Sequence, residues 1–257
     1  MTATSNTLGR LLFSILKYIV SSIFGRSYKI KSNKKNTFFY FILQVPIMLV
    51  VAMVLACILN KKDLRFKGFF RTMIFLPCTT SLVAYSIIFR SLFANDGLVN
   101  YVLVNLGILD KPYNFLTQPF AAKIVIILAL LWRWTGYNMV FFLSGLQNIE
   151  YSVYEAAKID GASAIQTFFK ITVPLLKPTI LLTAIMSTNG TLQLFDESVN
   201  LTDGGPANAS ISMSHYIYNL CFKYVPNFGY AAAMSFFILL LVAVLAFIQM
   251  RVGDKRD

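Results

Sequence analysis

A run of polar side chains interrupts a stretch that is otherwise apolar: Ser187, Thr188, Asn189, Thr191 and Gln193 all fall within residues 171–195. Polar groups at membrane depth are costly, and lipid offers them no hydrogen bonds. Such a run therefore faces protein or a water-filled path. Asn189 and Gln193 are four residues apart, so a helix places them on one face. An amide donates and accepts at once, which matches a hydroxyl-rich ligand. Phe195, Tyr137 and Asn138 would add aromatic faces and another amide. Together these five residues (Asn189, Gln193, Phe195, Tyr137, Asn138) suit the binding of a hydroxyl-rich ligand. The same groups also suit hydrogen-bonded bridges between helices, and residue types alone leave both uses open. Arg133, flanked by Trp132 and Trp134 in another apolar run, is expected to pair with an acid or a carbonyl inside a bundle.

Other chemistry is poorly served. Cys57, Cys78 and Cys221 do not stand at metal-ligand spacing, and His215 is the sole histidine. No metal site and no catalytic residue is expected. A phosphate-binding Gly-x-x-x-x-Gly-Lys-Ser/Thr sequence is absent, so the chain is not expected to hydrolyse ATP or to carry a cofactor.

The elements that would position these groups are membrane helices. The chain has 257 residues, of which 57% are hydrophobic and only 13% charged, against about 25% charged in soluble domains. The net charge of +12 reads as Lys and Arg gathered in short loops near anionic lipid, and no nucleic-acid partner is expected. Five apolar runs read as spans, at residues 37–59, 69–93, 120–146, 171–195 and 230–250. Pro46 and Pro77 are expected to kink the first two. Short helices are expected near 98–106 and 212–222, and a turn at Asp203-Gly204-Gly205-Pro206. Within 8–24, Arg10, Ser14, Lys17 and Ser21 recur on one helical face. This favours an interfacial amphipathic helix over a short first span. The expected fold is all-α: a polytopic transmembrane bundle (residues 37–257) behind an amphipathic and basic segment (1–36), with Arg26, Lys29, Lys31, Lys34 and Lys35 forming a basic hinge.

Glu150-Tyr151 to Lys177-Pro178 is the most polar long segment within the bundle. Glu155, Ala156 and Ala157 favour helix. Gly161 can take a left-handed conformation that ends one helix and lets a second leave at an angle. Residues 162–170 read as that second helix, with Ile165, Phe168 and Phe169 on its apolar side. The result is a two-helix knob at about 147–178, suited to docking in a cleft of another protein. Glu155-Ala156-Ala157, Gly161, then Ile171-Thr172-Val173-Pro174 resemble the EAA loop of ABC importer permeases; the usual ending is Ile-x-Leu-Pro. Phe195-Asp196, Leu201-Thr202-Asp203-Gly204-Gly205-Pro206 and Phe228-Gly229-Tyr230 are similar to the carbohydrate (maltose- and glycerol-phosphate-type) permeases of that group. The resemblance runs over residues 36–251 and implies a type I importer fold. It implies that Glu155, Ala156, Ala157, Asp160, Gly161 and Ala162 couple the chain to ATP-binding subunits. It also implies a second permease chain, two ATPase subunits that use the ATP, an extracellular solute-binding protein and a sugar substrate, at the cell membrane. The triplets at Asn189, Asn200 and Asn208 match the glycosylation pattern by chance on this reading.

With the loop in the cytoplasm, the cytoplasmic side collects eleven Lys/Arg and the opposite side four, in line with the positive-inside bias; the basic segment at 26–35 adds five to the outside and nearly erases it. The family usually has one span more before this point. The alternative function is a self-contained channel or secondary carrier. A carrier would be expected to show intramembrane carboxylates for ion coupling, and the spans hold none before Asp196-Glu197.

Overall fold

The structure, a computed structural model, describes residues 28–61 and 64–253. The expected amphipathic segment at 8–24 and the C-terminal Lys255 and Arg256 lie outside the described residues. Those described residues form helices joined by loops, without strands. In chain order these are α1 (Tyr28–Leu59), α2 (Lys67–Thr79), α3 (Leu82–Leu92), α4 (Leu98–Asn105), α5 (Pro119–Gln147), α6 (Tyr151–Ile159), α7 (Ala164–Leu175, with a wide π-turn at Phe168–Thr172), α8 (Lys177–Leu192), α9 (Asp196–Asn200), α10 (Met213–Tyr218, continuing in a π-turn at Asn219–Lys223) and α11 (Phe228–Gly253).

Three helices are long and apolar enough to cross a membrane alone: residues Lys35–Leu59 of α1, α5 and α11. Two bent pairs, α2 with α3 at 99° and α7 with α8 at 70°, are long and apolar enough only when each is taken together, which gives five spans where each pair is one. The sequence suggested five spans, and it drew the second and fourth as continuous. The second breaks at Thr80–Ser81, after Pro77. The fourth breaks at Leu176, between Pro174 and Pro178, where prolines remove backbone donors on both sides. Conversely, α1 continues through Pro46. It also begins earlier than residue 37: the expected hinge at 29–35 is helical, since lysines are good helix formers and no Gly or Pro interrupts them. The expected division at residue 36 thus falls inside one helix.

The bundle has two ends. At one, Ala52, Ala56 and Leu59 of α1 pack with Met139, Phe142, Leu143 and Leu146 of α5 and with Leu176. At the other, Tyr40 packs with Tyr85, Phe89, Ile126 and Leu130, together with Leu194 and Leu201. The 201–213 segment is tied down there by α1. Asn36 Nδ2 donates to the Ile211 carbonyl at 3.1 Å, the Met213 N–H donates to Thr37 Oγ1 at 3.0 Å, and Tyr40 Oη donates to the Ser210 carbonyl at 2.9 Å. The start of α1 therefore lies at the end opposite the α6–α7 loop. Between the ends α5 crosses α2 closely: Gly136 is buried, and a methyl there would overlap the Ile74 carbonyl. Large apolar side chains along α1, α2, α8 and α11 face outward, toward lipid or other chains.

A polar cavity in the bundle and an exposed two-helix loop

α1, α5 and α8 enclose, with the 193–197 segment, a cavity of about 330 Å³. Its polar lining is built from cross-helix pairs. Ser187 Oγ of α8 donates to Asn138 Oδ1 of α5 at 3.2 Å, and the Asn138 amide nitrogen donates to the Trp134 carbonyl at 3.1 Å. Thr191 Oγ1 of α8 donates to Gln44 Oε1 of α1 at 2.6 Å. Both Asn138 and Gln44 are buried, so each amide is held in one orientation by its partner. Thr188 faces the other way and accepts from Gln249 Nε2 of α11 at 2.8 Å. Within the polar run of the fourth span, Thr188 joins helices, while Ser187 and Thr191 join helices and line the cavity.

Four of the five suggested path residues line this cavity: Tyr137, Asn138, Gln193 and Phe195. Asn189 does not. It is exposed outside the lining, and its Oδ1 accepts from Gln193 Nε2. The helix ends at Leu192 with Gln193 as its cap, so Gln193 keeps the face it shares with Asn189, while Phe195 lies past the helix end. Phe195 packs against Tyr218, ring centres 5.2 Å apart, and Tyr137 against Trp134 at 5.9 Å.

Arg133 pairs with carbonyls and no acid. Its guanidinium donates to the carbonyls of Thr80 (2.7 Å) and Cys78 (3.3 Å) and lies 4.8 Å from the Tyr85 ring. It satisfies the last carbonyls of α2 where the second span breaks. The Tyr85 hydroxyl in turn donates to Glu197, a buried carboxylate of α9 that lines the cavity. Gln44 was not singled out in the sequence, although it carries the signal applied to Asn189, a polar group within a span. Glu197 was noted only as a carboxylate where the apolar run ends; its place in the cavity follows from α9 folding back against α3.

His215 lies outside the spans, fully buried, with Nδ1 2.9 Å from Ser198 Oγ and Nε2 3.8 Å from Asp203 Oδ1. Burial pulls its pKa down to about 4, with Asp203 opposing and Lys223 reinforcing.

At the opposite end, α6 stops at Ile159. Gly161 takes φ +73°, and Ser163 starts α7 with a capping box closed by Gln166. The Gly161 N–H donates to the Lys158 carbonyl and the Ala162 N–H to the Ala157 carbonyl, a left-handed helix cap. Glu155, Ala156, Asp160 and Gly161 are exposed, and Ala162 is half-buried. Ala157 is buried against its own chain. Ile159 is 86% exposed and Ile165 72%, flanking the glycine bend.

A bundle of five spans with an apolar-tipped loop fits many transporters, and the sequence comparisons choose among them. The family of binding-protein-dependent transport system inner membrane components matches residues 17–256. The chain belongs to this family. It is the transmembrane permease subunit of an ABC importer, not a self-contained carrier. The lactose transport system permease protein of Rhizobium radiobacter is 50% identical to this permease over 96% of its chain and 89% of that protein. The arabinooligosaccharides transport system permease protein of Bacillus subtilis is 33% identical over 86% and 70%. The trehalose/maltose transport system permease protein of Thermococcus litoralis is 32% identical over 82% and 70%. Among solved structures, a chain of a bacterial ABC transporter involved in import of the acidic polysaccharide alginate superposes with a TM-score of 0.80 at 23% identity, covering 89% of the permease and 80% of that chain. A similarity that distant supports the fold alone.

Proposed function

We propose that this permease passes a saccharide through the cavity between α1, α5 and α8, and that ATP-binding subunits drive it through the α6–α7 loop. The observation that carries the substrate reading is the cavity lining: amides, hydroxyls and aromatic rings, with Asn138, Gln44, Ser187 and Thr191 fixed by their mutual hydrogen bonds. Sugars are held by such planar amides and ring faces. Relatives named for lactose, arabinooligosaccharides and trehalose/maltose support the same class. The coupling reading rests on the exposed bend at Gly161, with Glu155, Ala156 and Asp160 exposed on it and Ile159 and Ile165 beside it. Exposed apolar side chains on a water-facing loop favour a protein partner. In this arrangement a second permease chain completes the path. An extracellular binding protein delivers the sugar at the end formed by the 201–213 segment, and the α6–α7 loop and C-terminus lie in the cytoplasm.

Substrate contact is tested by Tyr137→Ala and Gln193→Ala in the assembled importer. Losing one hydrogen bond weakens binding by about 0.5–1.5 kcal/mol. The concentration for half-maximal uptake should therefore rise a few-fold to about tenfold, with assembly and basal ATPase activity retained; unchanged uptake in both variants would place the path elsewhere. For orientation, Ala207→Cys in a cysteine-free background should react with an impermeant thiol reagent in whole cells. Reaction only after membrane disruption would invert the topology.

A further inference from the structure

The cavity has an uneven charge. Among its lining residues the acidic side chains are Asp196 and its neighbour Glu197, and no Lys, Arg or His lines it; burial raises the pKa of Glu197, against the bond from Tyr85 and the charge of Arg133, which favour its anion. The Arg133 guanidinium lies beyond the Tyr85 ring, within electrostatic reach of Glu197. Arg133 turns its guanidinium to the Thr80 and Cys78 carbonyls, and Lys223 Nζ is held by Asp203 at 2.6 Å. Glu197 cannot swing aside: it is 4% exposed and accepts from the hydroxyl of Tyr85, which is itself fully buried. One oxygen of a carboxylate can keep that bond while the other accepts from a ligand hydroxyl.

We propose that Asp196 and Glu197 form a charge filter on the path, which admits neutral saccharides and turns back saccharides bearing a carboxylate. The proposal deepens the saccharide reading and rests on it. Neutral sugars offer only hydroxyl donors and acceptors, which these carboxylates and the amides of the cavity can satisfy. A uronate in the same place meets two like charges, offset in part by the Arg133 guanidinium beyond Tyr85, which is turned to the Thr80 and Cys78 carbonyls. Repulsion between two carboxylates about 6 Å apart, at an effective dielectric of about 20, corresponds to a roughly hundredfold loss of affinity.

The test is equilibrium binding to the assembled importer in nanodiscs, without the binding protein, so that the binding protein's own selectivity does not enter. Trp134 lines the cavity, and its fluorescence reports occupancy; equilibrium dialysis with labelled sugar gives a second readout. The two ligands are a neutral disaccharide and the same disaccharide with one hydroxymethyl group oxidised to a carboxylate. The wild-type complex should prefer the neutral sugar by on the order of a hundredfold. Glu197→Gln and Asp196→Asn should each narrow that ratio by about tenfold or more, chiefly by strengthening uronate binding. Equal affinities in the wild type, as a lysine supplied by the second chain would produce, overturn the filter. A ratio unchanged in both variants overturns it too. If Glu197→Gln abolishes binding of both sugars, Asp196→Asn alone decides on the same criterion. Should neither sugar bind the wild-type complex, the saccharide reading falls with the filter, and the two failures are thereby distinct.

Discussion

Replacing Gly161 probes the link between the cavity and its energy source. Gly161 holds φ +73°, and a Cβ added there meets nothing within 4 Å. Any effect of a side chain on this loop is therefore backbone strain and not a clash within the chain. A left-handed conformation costs an L-residue roughly 1–2 kcal/mol, more for a β-branched one and least for asparagine. The loop ends are small, closed by the Lys158 and Ala157 carbonyls on one side and the Ser163 capping box on the other, so a strain of that size shifts the loop away from its bend by about five- to thirtyfold. The expected order of coupling is Gly161, then Asn, then Ala, then Val. The assay is ATPase activity stimulated by sugar-loaded binding protein, alongside uptake, in proteoliposomes holding the whole importer. Gly161→Val should lower stimulated hydrolysis and uptake together while the chain inserts and assembles normally. Normal coupling in Gly161→Val would refute the role of the bend. An Asn variant as impaired as the Val variant would show that a partner surface, not the backbone, demands the missing side chain.

Arg133→Met should destabilise the complex by roughly 2–6 kcal/mol, because it strips the donor from two carbonyls at the break of the second span, at about 1–3 kcal/mol each; thermal inactivation of the purified complex measures it, and an unchanged midpoint would mean the break holds without the guanidinium. His215 gives a pH dependence. With its folded pKa at about 4 against the usual 6.5, the unfolded chain takes up the proton first, so stability is full above pH about 6.5 and is lost as pH falls toward about 4. His215→Gln should flatten that part of the profile, and identical profiles for the two proteins would contradict the assignment.

The sequence was informative where a single residue type dictates a local outcome. Gly161 marked its bend because few other residues accept φ +73°, and the apolar runs marked all five spans through their length. It was uninformative where the cause lies far away in the chain. The break of the second span follows Pro77, yet what satisfies the broken end is Arg133, over fifty positions on. The hydrogen-bond role of Asn189 was visible as a four-residue spacing to Gln193, but the helix rotates Asn189 out of the cavity while Asn138, Ser187 and Thr191 turn in. Glu197 became a cavity residue only when α9 folded against Tyr85. Ala157 entered through the resemblance to the EAA loop, and its burial against its own chain became visible only in the folded bundle.

The central claim is that this chain is the membrane half of a machine whose energy enters at the α6–α7 loop. Its most direct test is uptake of labelled sugar by proteoliposomes containing the chain with its co-purified partners. Uptake should require ATP on the cytoplasmic-loop side and the binding protein on the other, and it should vanish when the ATPase subunits are omitted. Uptake by the chain alone, driven by a proton or sodium gradient, would contradict the account.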